Sequence, residues 1–277
     1  MPSLQGVVAW QAGEICGTAL LRARTAAGDG RMRQVNVAGQ RFAVADDKPS
    51  FWDKAEAGLW EPALLAEIAR FAEPGSLFLD IGGWVGPTSL YAAACGATVV
   101  ALEPDPAAAR QFRANCAANP ALTARMTLIE AALTADGAGG AFGSPRKPGD
   151  SMGSLLLADQ GASQWQAAGI SPEALVARLP QARPLTIKID IEGGEYLLGS
   201  TLQTLAALQP AVVLIGFHPA LMLSAYKDGA ERLEDATKAI FAAFAGMEAR
   251  VLGESSANPL TEALRAPITV RFSRVRG

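Results

Sequence analysis

Two clusters of residues in this chain have the types and spacing to do chemistry. The first is Phe78-Leu79-Asp80-Ile81-Gly82-Gly83-Trp84-Val85-Gly86-Pro87: an acid at the end of an apolar run, a glycine-rich turn, then a proline suited to the first turn of a helix. Glycine at 82, 83 and 86 lets the backbone pass close to a ligand and take positive φ. The free N–H groups of the following helix can hold an anion. A small group carrying both charges suits this arrangement, with its amine on Asp80 and its carboxylate on backbone N–H groups. The methionine end of S-adenosylmethionine is such a group. Glu103 ends the next apolar run, 17 residues after Gly86, and a carboxylate there can accept hydrogen bonds from both hydroxyls of a ribose. Asp80 and Glu103 are also acids of the kind that helix dipoles favour at helix entries. Within Pro104-Asp105-Pro106, Asp105 caps the following helix. A dinucleotide needs G-x-G-x-x-G. Counting from Gly82, the second and third glycines are Trp84 and Pro87; counting from Gly83, the second is Val85. A nicotinamide cofactor is therefore disfavoured.

The second cluster is Ile187-Lys188-Ile189-Asp190-Ile191-Glu192-Gly193-Gly194-Glu195. On a strand, Lys188, Asp190 and Glu192 share one face, and three charges on an apolar strand are costly unless paired or functional. Lys188, deepest in the sheet, is placed to neutralise an acid on the neighbouring strand, while Asp190 and Glu192 emerge at the ligand end. The bland alternative is an ion-pair cluster that orients the turn. His218, the single histidine of the chain, follows the apolar run Val212–Phe217 and precedes Pro219. An imidazole at a strand's carboxyl end could take a proton from a substrate hydroxyl near neutral pH, although a lone histidine is more often a packed or capping residue. Asp190, His218 and Lys188 are thus the candidate catalytic residues. Asp190, Glu192 and His218 could together hold a metal, but no compact ligand motif supports it, so no metal is assigned and metal dependence stays open.

The elements that must carry these residues can be read from apolar periodicity. Strands are expected at Leu77–Ile81, Thr98–Leu102, Met126–Ala131, Leu185–Ile191 and Ala211–Phe217. Helices are expected at Thr88–Ala94, Pro106–Ala118, Pro172–Arg178, Glu195–Leu208 and Ala230–Phe244. Strands alternating with helices predict a doubly wound, mostly parallel sheet. The closing strands Glu248–Leu252 and Ile268–Phe272 suggest an antiparallel pair at its edge. Residues 1–50 read as a small β-rich extension, with glycine turns at Gly28–Gly30 and Gly39 and a hairpin of Gln34–Val37 with Arg41–Val44. An aromatic stretch (Phe51, Trp52, Trp60) and a helix from Pro62 through Phe71 lead into the main domain, 51–277. The Gly-, Ser- and Pro-rich segment 134–169 breaks the rhythm, and so long a loop in a compact domain suggests a lid.

At 277 residues, one large domain with a small addition is expected. The apolar runs are too short to span a bilayer, and no basic stretch followed by an apolar core opens the chain. Cys16, Cys95 and Cys116 are few, odd in number and without ligand spacing, which suits a reducing cytoplasm and buried small side chains. The net charge of −3 offers no general attraction to nucleic acid. No nucleic-acid partner and no membrane partner are therefore expected. The oligomeric state is left open, and a homodimer is compatible.

Together these segments resemble the FkbM-type methyltransferases. The resemblance rests on Leu79-Asp80-Ile81-Gly82-Gly83-Trp84-Val85-Gly86, Val99-Val100-Ala101-Leu102-Glu103-Pro104-Asp105, Ile129-Glu130-Ala131-Ala132-Leu133, Lys188 through Glu195, and the strand ending in His218-Pro219, over roughly residues 51–220. It implies a class I Rossmann-like α/β fold that binds S-adenosylmethionine and O-methylates a hydroxyl of a small molecule or sugar. By that resemblance Asp80, Gly82 and Glu103 contact the cofactor, with Gly83, Trp84, Gly86, Asp105 and Ala131 beside them, and Asp190 lies between cofactor and acceptor. Glu61 also matches the family's pattern and joins the cofactor set. The chain departs at Gly82-Gly83-Trp84, where the family usually has Gly-Ala-Asn, and at Pro87; Trp84 would narrow the methionine pocket or stack at the acceptor site. Two alternatives stay open: an N-methyltransferase on the same fold, and a module that binds S-adenosylmethionine without turnover.

Overall fold

The computed structural model describes residues 31–159, 161–254 and 258–274. The Gly28–Gly30 turn and Cys16 lie outside the described residues. The chain begins with an antiparallel hairpin of β1 (Met32–Val37) and β2 (Gln40–Ala45) turning at Ala38-Gly39, followed by helices α1 (Pro49–Glu56) and α2 (Pro62–Phe71). Alternating units follow: β3 (Leu77–Ile81), α3 (Pro87–Cys95), β4 (Thr98–Leu102), α4 (Pro106–Ala117), α5 (Pro120–Thr123) and β5 (Met126–Ile129). Segment 134–169 is more ordered than its composition suggests. Around it β6 (Ala132–Leu133) pairs with β9 (Gly169–Ile170), and within it β7 (Gly140–Ser144) pairs with β8 (Ser163–Ala167). Then come α6 (Pro172–Val176), β10 (Leu185–Ile189), α7 (Thr201–Ala207), β11 (Val212–Phe217), α8 (Pro219–Ala225), α9 (Gly229–Ala243), β12 (Glu248–Val251), α10 (Pro259–Ala263) and β13 (Ile268–Ser273).

Proline at the first helical position explains why so many helix starts are sharp: its φ is preset and its missing N–H is not needed there. It opens eight of the ten described α-helices. The helix expected over Glu195–Leu208 is interrupted at Gly199, whose φ of +49° breaks it into a short 3₁₀ turn and α7.

The main sheet has the order β12-β13-β11-β10-β3-β4-β5. Numbered along the chain, its seven strands run 6-7-5-4-1-2-3, the Rossmann order with one extra strand between the fifth and sixth. Strand β13 is antiparallel to both neighbours. The antiparallel pair expected at the edge is present, and the reversed strand is β13, one in from the outermost β12. This is the α/β, Rossmann-like fold of class I methyltransferases.

Side-chain alternation sends the two faces of the sheet into two cores. Leu77, Leu79, Ile81, Ile187, Ile189 and Ile215 enter one, with Tyr196, Leu202 and Leu233. Phe78, Val99, Ala101 and Leu214 enter the other, with the helices α2–α4. Val35, Val37, Phe42 and Val44 of the N-terminal hairpin belong to that second core. The hairpin is fastened to α4 by Asn115, whose Oδ1 accepts from Ala45 N (2.8 Å), and to the turn after it by Asn119, whose Oδ1 accepts from Ala43 N (2.8 Å). Cys116 is buried and Cys95 half-buried, and neither forms a disulfide among the described residues.

Candidate active site

The chain leaves β3 in one direction along the sheet and β10 lies on its other side, so a crevice opens between their carboxyl ends. Gly82 sits at that point with φ +88°. A Cβ there would lie 2.0 Å from the carbonyl oxygen of Asp190, so only glycine lets the two strand ends approach. Gly83 and Gly86 face Phe112 of α4 instead, where a Cβ would come within 2.9 Å and 2.5 Å of its ring. Those two glycines allow close helix packing and do not line a cavity.

Two cavities meet at this crevice. The first is lined by Gly82, Trp84, Glu103, Asp105, Ala131, Asp190 and Glu192, with Phe142, Asp150 and Trp165 from segment 134–169. The second, of about 300 Å³, is lined by Glu61, Asp190 and His218, with apolar Pro62, Phe217, Leu252 and Ile268. Asp190 belongs to both. Glu61 faces the second cavity with Asp190, apart from Glu103 and Asp105 in the first.

Glu103 is almost fully buried and preorganised. Its Oε2 accepts from the Trp84 backbone N–H (2.6 Å) and its Oε1 from that of Asp105 (2.8 Å). Burial pushes its carboxyl up to about 7, against those two N–H groups, which favour the ionised form. Asp105 caps α4 as expected, accepting from Ala107 N (2.7 Å), and also accepts from Gly149 N across the cavity. The Gly149 carbonyl accepts from the Trp84 indole N–H (3.1 Å) and from Lys48 Nζ (2.8 Å). The ring of Trp84 packs edge-on against Phe51, with centroids 4.7 Å apart. Trp84 therefore pins segment 134–169 to the N-terminal part of the domain while also lining the first cavity. Phe142 and Trp165, opposite one another in the β7–β8 hairpin, stack at 6.0 Å over the cavity. Neither was singled out in the sequence, because a glycine-rich segment gives no periodic signal.

Asp80 and Lys188 face each other inside the sheet. Both are buried and line neither cavity. Asp80 Oδ2 accepts from Thr88 Oγ1 (2.7 Å) and Ser89 Oγ (2.6 Å), and its Oδ1 accepts from Lys188 Nζ (3.1 Å). The reason is parity: Asp80 shares the face of Phe78, under α3, while the first cavity lies beyond the face of Ile81. Lys188 is Asp80's direct neighbour in the parallel register. Burial opposes the charge on Lys188, but Asp80 and Asp190 outweigh it and raise its pKa. Lys188 thus neutralises the acid on the neighbouring strand.

The strand ends at Ile189 rather than Ile191, so strand alternation does not carry Glu192 to the site. Glu192 reaches it through a left-handed backbone (φ +51°). Asp190 Oδ1 and Glu192 Oε2 stand 3.5 Å and 3.7 Å from His218 Nε2. The other ring nitrogen, Nδ1, lies 3.2 Å from Glu195 Oε1, which also accepts from the His218 backbone N–H (2.8 Å). Glu195 is buried, its Oε2 accepting from Gly193 N (2.9 Å). An Nδ1–H donated to Glu195 leaves Nε2 as the free nitrogen, facing Asp190. Burial alone would lower the His218 pKa, but the hydrogen bond to Glu195 and the charges of Glu195, Asp190 and Glu192 raise it to about 9. Burial likewise pushes Glu192 up to about 7 against the pull of His218. In the sequence the one signal of this role is an acid directly after two glycines, Gly193-Gly194-Glu195. Although the sequence has no compact ligand motif, one ligand atom each from Asp190, Glu192 and His218 lie within 4.8 Å of one another, close enough to share a divalent cation.

No protein family and no curated protein matches the sequence. Solved structures do match in fold. A SAM-dependent methyltransferase from Agrobacterium tumefaciens is 11% identical, with 90% of this chain and 72% of that one covered and a TM-score of 0.46. An rRNA methylase from Streptococcus thermophilus is 9% identical (77% and 95% covered, TM-score 0.43). An O-methyltransferase from Bacillus cereus, in complex with SAH, is 13% identical (76% of each chain, TM-score 0.41). The exclusion of nucleic acid as a partner is withdrawn, since rRNA methylases stand among these structures. A total charge of −3 does not describe the surface around one cavity. No helix among the described residues is long and apolar enough to cross a membrane.

Proposed function

We propose that this chain is an S-adenosylmethionine-dependent methyltransferase that acts on an acceptor hydroxyl. The observation that carries the reading is the pair of cavities sharing Asp190, with a buried carboxylate, Glu103, prepared in the first and an oriented imidazole, His218, in the second. The first cavity suits a nucleoside. Each Glu103 oxygen keeps an acceptor site for a ribose hydroxyl, the Gly82 turn admits close approach, and Phe142 and Trp165 offer aromatic faces. S-adenosylmethionine bound there supplies an activated methyl group. His218 Nε2 then accepts the acceptor's proton, Glu195 holds the ring, and Asp190 orients the hydroxyl between the cavities. An N-methyltransferase would have little need of this histidine, and a binding module none.

Calorimetric titration with S-adenosylmethionine, S-adenosylhomocysteine and NAD tests the cofactor. The two S-adenosyl ligands should bind and NAD should not. Glu103→Ala should weaken the S-adenosyl ligands at least tenfold, because it removes hydrogen bonds to a charged acceptor worth roughly 1.5–3 kcal/mol. Preference for NAD, or no binding of either S-adenosyl ligand, would overturn the reading. Methyl transfer to sugars, other hydroxylated compounds and RNA should then be compared to find the acceptor.

The same reading makes segment 134–169 a lid. The first cavity is only about 150 Å³ as it stands, below the roughly 300 Å³ at which ligand sites begin, so the segment must lift for a nucleoside to enter. Limited proteolysis within 134–169 should slow on adding S-adenosylhomocysteine; unchanged cleavage counts against a lid.

A further inference from the structure

We propose that Asp190 and Glu192 distinguish the charged methyl donor from its neutral product, favouring S-adenosylmethionine over S-adenosylhomocysteine. The inference rests on the cofactor reading above and concerns what those two carboxylates do within it. Asp190 is common to both cavities, and Glu192 lines the first beside it. A methyl group passing from one cavity to the other must cross at that shared wall, so the sulfur that carries it lies next to these residues.

The charge balance there is negative. Asp80, Asp190, Glu192 and Glu195 form one connected cluster whose cations are Lys188 and His218. Lys188 lies closer to Asp80 (3.1 Å) than to Asp190 (3.5 Å). Even with His218 protonated and Glu192 only partly ionised, its pKa pushed up to about 7 by burial, the negative charges outnumber the two cations. Enclosed carboxylates without a counter-charge are costly, and a cationic ligand at the shared wall offsets that cost where a neutral one does not. In the transfer itself the acceptor oxygen bonds to the methyl carbon as the carbon–sulfur bond breaks. The bonding pair returns to sulfur, and the hydroxyl proton goes to His218 Nε2. Positive charge thus leaves the sulfur, and the attraction holding the nucleoside at that point ends with the reaction.

The test is a set of calorimetric affinities, in chelator, for three ligands on the full chain: S-adenosylmethionine, S-adenosylhomocysteine and sinefungin, which carries an amine in place of the methylsulfonium. An opposite charge at this range shifts an ionic equilibrium by about one to three pK units, so a preference of roughly tenfold or more for the two cationic ligands is expected. Asp190→Asn and Glu192→Gln, which keep shape, should each reduce that preference severalfold while leaving affinity for S-adenosylhomocysteine nearly unchanged. Equal affinities in the unmodified chain, or a ratio that the variants do not alter, would overturn the inference and leave the cofactor reading intact. A ratio that appears only when Mg²⁺ is restored would also overturn it, since the carboxylates would then be holding a metal. Failure of all three ligands to bind removes the cofactor reading itself, a different result from either.

Discussion

Replacing Lys188 by Met should cost about 3–5 kcal/mol of stability, the range for removing one partner of a buried ion pair. The fold makes this residue sensitive because Asp80 is wholly enclosed and, among the described residues, Lys188 is its one paired cation. Thr88 and Ser89 would still donate to Asp80, but two hydroxyls do not balance a buried charge. Urea unfolding of the single variant checks the size of the loss. The double variant Lys188→Met with Asp80→Asn should recover most of it, because the amide keeps hydrogen-bonding capacity and no fully buried unpaired charge remains, Asp190 being partly exposed. If the single variant unfolds at the same denaturant concentration as the unmodified chain, the pair is not what holds β3 to β10 at this point. If the double variant is no better than the single, the loss comes from packing.

The second large effect is expected in turnover. Once an acceptor is in hand, His218→Ala should lower kcat by roughly 10²–10⁴, the usual contribution of a positioned general base. The pH dependence is more diagnostic. A base must be unprotonated to act, and three carboxylates hold the His218 pKa up at about 9, so kcat/KM should rise with pH through that value in the free enzyme. Glu195→Gln keeps a partner for Nδ1 but removes a charge, and should move this limb to lower pH; a merely structural role for Glu195 would leave the limb in place. The same shift affects stability with a defined sign. Because the folded pKa lies above the unfolded value near 6.5, the stabilisation from charged His218 is full below pH 6.5 and is lost as pH rises through 9. A kcat of His218→Ala close to that of the unmodified chain would move the base to Asp190 or favour an amine acceptor.

The strands and helices that build the sheet were legible because their signals are local. Apolar runs of five or six residues bounded by proline or glycine gave β3, β4 and β11 to within a residue, and proline at the first turn marked the starts of α2 and α4. The Gly82 turn and Glu103 were legible for a related reason: an acid or glycine just past a buried strand stands out against its neighbours. What the sequence alone determined, then, was the order of elements and the strand ends at which a nucleoside would sit. Which side of the sheet each charged residue served depended on contacts between segments far apart in the chain. That Thr88 and Ser89 of α3 donate to Asp80 is visible only once α3 is seen covering its face. Lys188 reads as placed to neutralise some acid, and only the parallel register shows that the acid is Asp80. Glu195 acquires a role only when β11 brings His218 to it across 23 residues, and Trp84 only when Gly149 folds back over 65. Side-chain periodicity says that two positions share a face, but only the packed tertiary structure decides what that face meets.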